Sequence, residues 1–232
     1  MDSINFDSEA EKDDGSCALP SLRMHLHPTI GDETFVAGDT YTINGVKTQI
    51  DRIQYYISDI TIADDDGNEY QPSTNLVLAD ATKHHIALGE GKAGHAHKIK
   101  FGIGVPADLN TQIDPSTYEA ENPLANQSPS MHWSWDAGYK FFVMEGMVDT
   151  DGDDVVDSTL EIHLGGDLNY VPVEVEVHTN VDSADKDFEL EVDFAKVFTG
   201  LDPAVDNVTH VMDNVTLANA VKANLTTIIT AE

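Results

Sequence analysis

Ten histidines are spread along this 232-residue chain, and neutral imidazole is a good ligand for copper, zinc, nickel and iron. They are His25, His27, His84, His85, His95, His97, His132, His163, His178 and His210. Because they run from one end of the sequence to the other, a metal site must be assembled from distant strands. The pairs His25/His27 and His95/His97 have a spacing of two, which places both rings on one face of a strand.

These histidines do not predict a structural zinc site. Their spacing matches no zinc motif, and the chain has a single cysteine, Cys17, so thiolate ligands are lacking. A lone histidine is more often a surface or hydrogen-bonded core residue than a ligand. The histidines therefore indicate metal binding only as a set.

Both tryptophans, Trp133 and Trp135, lie in one short segment, Met131–Tyr139. Strand alternation would place them on the same face of an extended segment. Their large apolar area makes a pair of core anchors the simplest interpretation.

An acidic loop offers a second kind of metal site. Oxygen ligands at alternate positions could surround one calcium ion. The candidate ligands are Asp149, Asp151, Asp153, Val155 through its carbonyl, and Asp157. Asp154 stands where an EF-hand loop has glycine, and Leu160 where it has glutamate, so an EF-hand is not expected. A looser calcium loop and a solvated hairpin turn both remain open.

The elements that must position these residues are short strands. Leu22–His27 and His97–Val105 alternate between apolar and polar residues, and Gly138–Val148 is strongly apolar. Apolar residues at spacings of three and four predict one helix over Asn214–Ile229. The pattern predicts an all-β fold, an antiparallel β-sandwich of about eight to ten strands with a C-terminal helix. We expect a disordered acidic tail over residues 1–19 and one domain over residues 20–232.

Charge excludes several classes of partner. With 12 basic and 42 acidic residues the formal net charge is −30, so binding to nucleic acid is not expected.

No apolar run approaches the ~18 residues of a transmembrane helix. Met1–Gly15 does not resemble a secretory signal, and Cys17 could be a lipid anchor or a plain linker residue. No serine nucleophile elbow or phosphate-binding loop is present.

The order of several segments resembles the MbnP-like family, periplasmic copper-binding proteins associated with methanobactin operons. The matching segments are Met24–His27, Arg52–Ser58, Phe101–Val105, Pro129–Lys140, Met144–Gly146, Glu161–Gly166 and His210–Asn214. The Met-x-Trp-x-Trp-x-x-Gly-Tyr segment is fairly specific, and the others gain weight from their order.

The resemblance implies a β-rich fold with a mononuclear copper site made mainly of histidines. It also implies a tryptophan that a partner MauG-like di-haem enzyme oxidises to kynurenine. Carried onto this chain, the copper ligands are His27, His163 and His210, with His25 and His132 as further candidates. Trp133 and Trp135 are the candidate oxidation sites.

Three functions are consistent with these features. The first is a periplasmic or exported copper-binding protein for copper homeostasis or transport, which is not itself an enzyme. The second is a calcium-dependent adhesion or carbohydrate-binding module that uses the tryptophans as stacking platforms. The third is a copper oxidoreductase that uses the same histidines. Convergence of His27, His163 and His210 favours copper binding over the adhesion module.

Overall fold

Alternating residues divide the long strands into a buried face and a more exposed face. In the first strand, Leu22, Met24 and Leu26 are at most 3% exposed, whereas His25 and His27, which alternate with them, are partly exposed. This alternation produces two sheets that bury their apolar faces against each other. The structure is a computed structural model that describes residues 3–5 and 17–232.

The strands are β1 (Ser21–Ile30), β2 (Glu33–Thr34), β3 (Thr40–Ile43), β4 (Val46–Ala63), β5 (Glu69–Tyr70), β6 (Leu76–Asp80), β7 (His85–Glu90), β8 (Gly94–Ile103), β9 (His132–Ser134), β10 (Gly138–Val148), β11 (Ser158–Gly165), β12 (Val171–Val181), β13 (Asp185–Asp193), β14 (Val208–Thr209) and β15 (Ile229–Ala231). The helices are α1 (Ala107–Asn110) and α2 (Val215–Leu225). Short 3₁₀ turns occupy Pro115–Thr117, Asp167–Asn169 and Phe194–Phe198.

The smaller sheet has five strands in the order β15-β13-β1-β2, with β7 also paired to β1. The larger sheet has ten strands and runs β12-β8-β4-β10-β11-β14. Strands β3, β5 and β6 pair with β4, and β9 pairs with β10. The outer face of this larger sheet therefore presents β4, β10 and β11 side by side.

The predicted all-β sandwich with a C-terminal helix is confirmed, but the sheets are mixed. Strands β1 and β13 pair in parallel, and so do β11 and β14. The antiparallel prediction assumed hairpins between neighbouring strands. Strands joined by long stretches of chain can pair in either direction. The strand number exceeds the prediction because several strands have only two or three residues.

Two apolar cores lie on opposite faces of the larger sheet. Phe142 and Met144 of β10 belong to the main core between the sheets. Tyr139, Phe141 and Val143 alternate with them and belong to a smaller core on the outer face. Glu145 continues that outer series, so β10 carries a carboxylate directly beyond the smaller core.

Helix α2 packs on the main core through Leu217, Ala218, Val221 and Leu225, all buried. The Asn214 side chain accepts a hydrogen bond from the Leu217 amide and caps the first turn. The helix ends earlier than predicted because Ile229 begins β15, which pairs with β13.

The acidic tail predicted over residues 1–19 stays a prediction, since residues 1–2 and 6–16 lie outside the described part. The Ile4 amide donates to the Ala18 carbonyl at 2.9 Å, and Cys17 is an exposed free thiol. Among the helices of the described ranges, none is long and apolar enough to cross a membrane.

Candidate metal centre

His163 lies on the outer face of the larger sheet and is only 4% exposed. Its Nε2 atom lies 2.8 Å from Glu145 Oε1 on the neighbouring strand β10. Arg52 of β4 donates from Nη1 to both oxygens of the same carboxylate, at 3.2 and 3.0 Å. Three adjacent strands thus supply an arginine, a carboxylate and an imidazole that contact one another in a row. These contacts hold the His163 ring in one orientation.

The second ring nitrogen of His163 has no hydrogen-bond partner. Its Nδ1 atom is buried, and no polar atom of residues 3–5 or 17–232 satisfies it. Burial, reinforced by the positive charge of Lys140, lowers the pKa of His163 below its ordinary value. The ring is therefore neutral near pH 7, with a lone pair available on a nitrogen that lacks a partner.

His210 completes a pair of imidazoles. It follows β14, which pairs in parallel with β11, and its ring centroid lies 4.9 Å from that of His163 at an interplanar angle of 78°. His210 Nδ1 lies 2.7 Å from Asp213 Oδ2, and Nε2 lies 3.3 Å from Glu161 Oε2. Val211, the next residue, has φ +72°, an uncommon conformation for a β-branched residue.

Two carboxylates face each other at this place. Glu145 and Glu161 are directly opposite in the β10–β11 register. Like charges in this position repel, and Arg52 places a charge of the opposite sign against Glu145. A cation bound near the two histidines would reduce the repulsion further.

Trp133 borders the same region. It lines a cavity of about 620 Å³ together with His210 and Met212. The Trp133 ring lies over Gly165, where an added Cβ atom would come within 2.5 Å of Trp133 Cζ3. Glycine at this position therefore lets the indole pack directly on β11, beside His163.

The two tryptophans do not share an environment. Strand β9 ends at Ser134, and Trp135 lies in the following turn with 53% of its surface exposed. The alternation that predicted a shared face is interrupted there. The prediction that both tryptophans are core anchors is wrong for Trp135.

His27 lies elsewhere, on the smaller sheet. His27 Nε2 is 2.8 Å from Glu189 Oε2 and 3.3 Å from Glu232 Oε2. His25 Nδ1 is also 2.8 Å from Glu189 Oε2, and its ring stacks on His85 with centroids 4.1 Å apart. The ligand atoms of His25, His27 and Glu189 lie within 4.8 Å of one another, so this group could also hold a metal ion.

The structure therefore divides the expected ligand set between the two sheets. Strand β1 buries Leu22, Met24 and Leu26 in the main core and turns His27 to the opposite side. Strand β11 buries Ile162 in the same core and turns His163 away from it on the other sheet. The described structure brings His163 and His210 together and does not bring His27 to them.

The family model described as MbnP matches residues 20–213. The chain belongs to the MbnP family. The fold agrees with this assignment. A solved structure, MbnP from Methylosinus trichosporium, has a TM-score of 0.58 and 14% sequence identity to this chain, and the match covers 78% of each chain. At that identity the similarity shows a shared fold alone. No curated protein sequence matches the chain.

His132, the other added ligand candidate in this MbnP-family chain, faces the smaller core. Its ring packs edge-on against Tyr139 with centroids 4.9 Å apart. Burial lowers the pKa of His132, and Asp114 opposes that effect. His132 Nε2 is also buried without a hydrogen-bond partner among the described residues, and the ring contact shown for His132 is with Tyr139 of the smaller core.

The acidic loop of the MbnP-family chain is closed by its own first carboxylate. Asp149 is 5% exposed and accepts hydrogen bonds from the amides of Gly152 and Asp154 at 2.8 and 2.9 Å. Asp154 has φ +66°, so it adopts the turn for which glycine was expected. Carboxylate oxygens of Asp149, Asp151 and Asp153 lie within 4.8 Å of one another.

The two remaining calcium candidates are at the exposed end of this loop. Val155 is 53% exposed and donates its amide to Asp153 Oδ1. Asp157 accepts from the Ser158 hydroxyl at 3.3 Å. Calcium binding by this loop stays a prediction.

Sequence reasoning missed the residues that hold the two imidazoles. Arg52, Glu145, Glu161 and Asp213 all lie in segments that carry the MbnP resemblance, so the signal was present. Sequence alone does not reveal their role, because the relation of these residues to His163 and His210 depends on strand register.

Proposed function

We propose that this MbnP-family protein is a copper-binding protein and that copper binds at the His163–His210 pair beside Trp133. The observation that carries the proposal is the buried Nδ1 atom of His163, which has no hydrogen-bond partner in the described structure and lies in a ring next to a second imidazole. A buried unpaired nitrogen costs free energy unless a ligand occupies it.

The donor set fits copper. Imidazole binds copper well, and a metal-binding histidine usually donates its other ring N–H to a carboxylate. Glu145 holds His163 in this way, and Asp213 holds His210. The Glu161 carboxylate, 3.3 Å from His210 Nε2, is an additional donor close to the pair.

Within this proposal, Trp133 is the residue that a MauG-like di-haem partner oxidises. It shares a cavity wall with His210, whereas Trp135 is exposed in a turn. Oxidation to N-formylkynurenine breaks the indole C2–C3 bond and places a carbonyl oxygen on each of the two carbons. With two water molecules as the oxygen source, the partner removes four electrons and four protons are released. Hydrolysis then releases formate and leaves kynurenine, whose aniline nitrogen is a new donor beside the metal.

The proposed role is copper homeostasis or transport in the periplasm or outside the cell, without catalysis by this chain. The net charge of −30 concentrates cations around the protein. The competing role, a calcium-dependent carbohydrate-binding module, gains little from Trp133, because its ring packs on Gly165.

The experiment is copper retention. One equivalent of Cu(I) is added to the wild type and to His163→Ala, His27→Ala and His84→Ala, each sample is desalted, and retained copper is measured. His84 is an exposed histidine, so its variant is the matched control. We expect only His163→Ala to lose copper.

Two other results would contradict the proposal. Loss of copper in His27→Ala, with retention in His163→Ala, would move the site to the His25–His27–Glu189 group. A wild type that retains no copper would overturn the function itself.

A further inference from the structure

A third group of histidines lies at the junction of β8, β12 and the turn after β4. His95 and His97 project from β8, His178 from β12, and Asp65 from the turn. The rings of His97 and His178 are 4.4 Å apart and nearly perpendicular, at 86°. The spacing of two relates His95 to His97 in the sequence, whereas no sequence pattern relates either residue to His178 or Asp65.

The carboxylate of Asp65 bridges the two histidines of β8. Its Oδ2 atom lies 2.8 Å from His95 Nδ1, and its Oδ1 atom lies 3.4 Å from His97 Nδ1. One ligand atom each from Asp65, His97 and His178 can be chosen so that all three lie within 4.8 Å of one another. That spacing is short enough for a single ion to bind all three.

One nitrogen in this group lacks a hydrogen bond. His97 Nδ1 is buried, and the contact with Asp65 is not aligned as a hydrogen bond, so within the described ranges the atom has no hydrogen-bond partner. This is the same signature that His163 shows. A metal ion would supply the missing interaction.

A β-bulge brings His178 to the group. The β8–β12 register shifts between Glu176 and Thr179, so one extra residue of β12 is accommodated opposite His97. His178 has φ +42°, in the left-handed region that few residues other than glycine adopt. Bulges of this kind redirect side chains and recur next to functional sites.

We propose that His97, His178 and Asp65 form a binding site for a divalent cation of the zinc class, in which His95 holds the Asp65 carboxylate. Nitrogen and oxygen donors in this ratio suit Zn²⁺, which binds imidazole and carboxylate without a strong geometric preference. The site has no thiolate or thioether among these four residues, so it favours a divalent ion over Cu(I). It is separate from the His163–His210 pair and does not depend on copper binding there.

Zinc titration of the whole protein tests the proposal. Calorimetry with Zn²⁺ alone compares the wild type with His97→Ala and His178→Ala, and Co²⁺ absorption reports the donor geometry. His84→Ala is the matched control, and His163→Ala tests independence from the copper pair. We expect both test variants to lose one equivalent or to bind it at least tenfold more weakly, and both controls to retain it.

Each other outcome overturns the site. It fails if the wild type binds no zinc, or if the two test variants match His84→Ala. It also fails if His163→Ala loses the same equivalent, because zinc would then occupy the copper pair. Asp65→Asn, at a side chain that is 61% exposed, repeats the test with little risk to folding.

Discussion

His163 Nε2 lies 2.8 Å from Glu145 Oε1, and this contact decides which nitrogen of the ring remains free. The Glu145 carboxylate contacts Nε2 of the imidazole, and Nδ1 stays buried without a hydrogen-bond partner among the described residues. Arg52 holds the carboxylate in place from β4. The ring is thus oriented before any metal arrives, which lowers the entropy cost of binding.

Glu145→Gln tests this orientation. The amide keeps the shape but removes the negative charge between Arg52 and His163, so we expect a loss of roughly 1–3 kcal/mol in the free energy of unfolding. Copper affinity should fall by about 10- to 100-fold, the usual effect of removing a carboxylate that orients a metal-binding histidine. Urea denaturation and a copper competition assay measure the two quantities.

Glu69→Gln is the matched control for this variant. It removes a carboxylate from an exposed ion pair with Lys100 on the same sheet, and little change is expected in either assay. Equal effects of the two substitutions would show that the Glu145 contact with His163 has no special role.

Stability of the metal-free protein should decrease as pH falls from about 7.5 to about 5.5. Burial lowers the pKa of His163 and of His132. As the pH is lowered, the unfolded chain therefore takes up protons before the folded chain does. The free energy of unfolding decreases as a result. Denaturant midpoints across this range measure the slope.

The variant His163→Gln should flatten this pH dependence. Glutamine does not titrate, so the contribution of His163 disappears and that of His132 remains. Carboxylates with a lowered pKa, such as Glu145, lose their contribution only at lower pH. An unchanged slope would place the titrating group elsewhere.

Oxidation of the indole should be selective for Trp133. Coexpression with a MauG-like di-haem partner is expected to give kynurenine or N-formylkynurenine in the wild type and in Trp135→Phe. It should give neither in Trp133→Phe. Intact mass and peptide mapping identify the modified residue, and a product confined to Trp135 would contradict the assignment.

Calcium should raise the melting temperature if the acidic loop binds it, because a ligand that binds only the folded state stabilises that state. Asp153→Asn removes an exposed candidate ligand and should reduce the shift, while magnesium serves as the control ion. The melting temperature in millimolar calcium is compared with that in excess chelator. An unchanged melting temperature would show that Asp149 only closes the turn, by accepting hydrogen bonds from the backbone amides of Gly152 and Asp154.

Local pattern was a sufficient guide to several features. The spacing of two in His25/His27 predicted a shared face, and their rings lie 4.3 Å apart. Spacings of three and four predicted a helix over Asn214–Ile229, and α2 lies within that range with Asn214 as its cap. The segments around Trp133 and Glu145 predicted the MbnP family, which the family model confirms.

Contacts between distant strands could not be predicted from local sequence pattern. Sequence alternation determines which residues of one strand share a face, because side chains of a strand point alternately to its two sides. Strand order and register determine which residues of different strands meet. They depend on the packing of the whole sandwich. Sequence alone thus determined the family and the face that His25 shares with His27. Only the tertiary structure separated His27 from His163, because their strands belong to different sheets with the core between them.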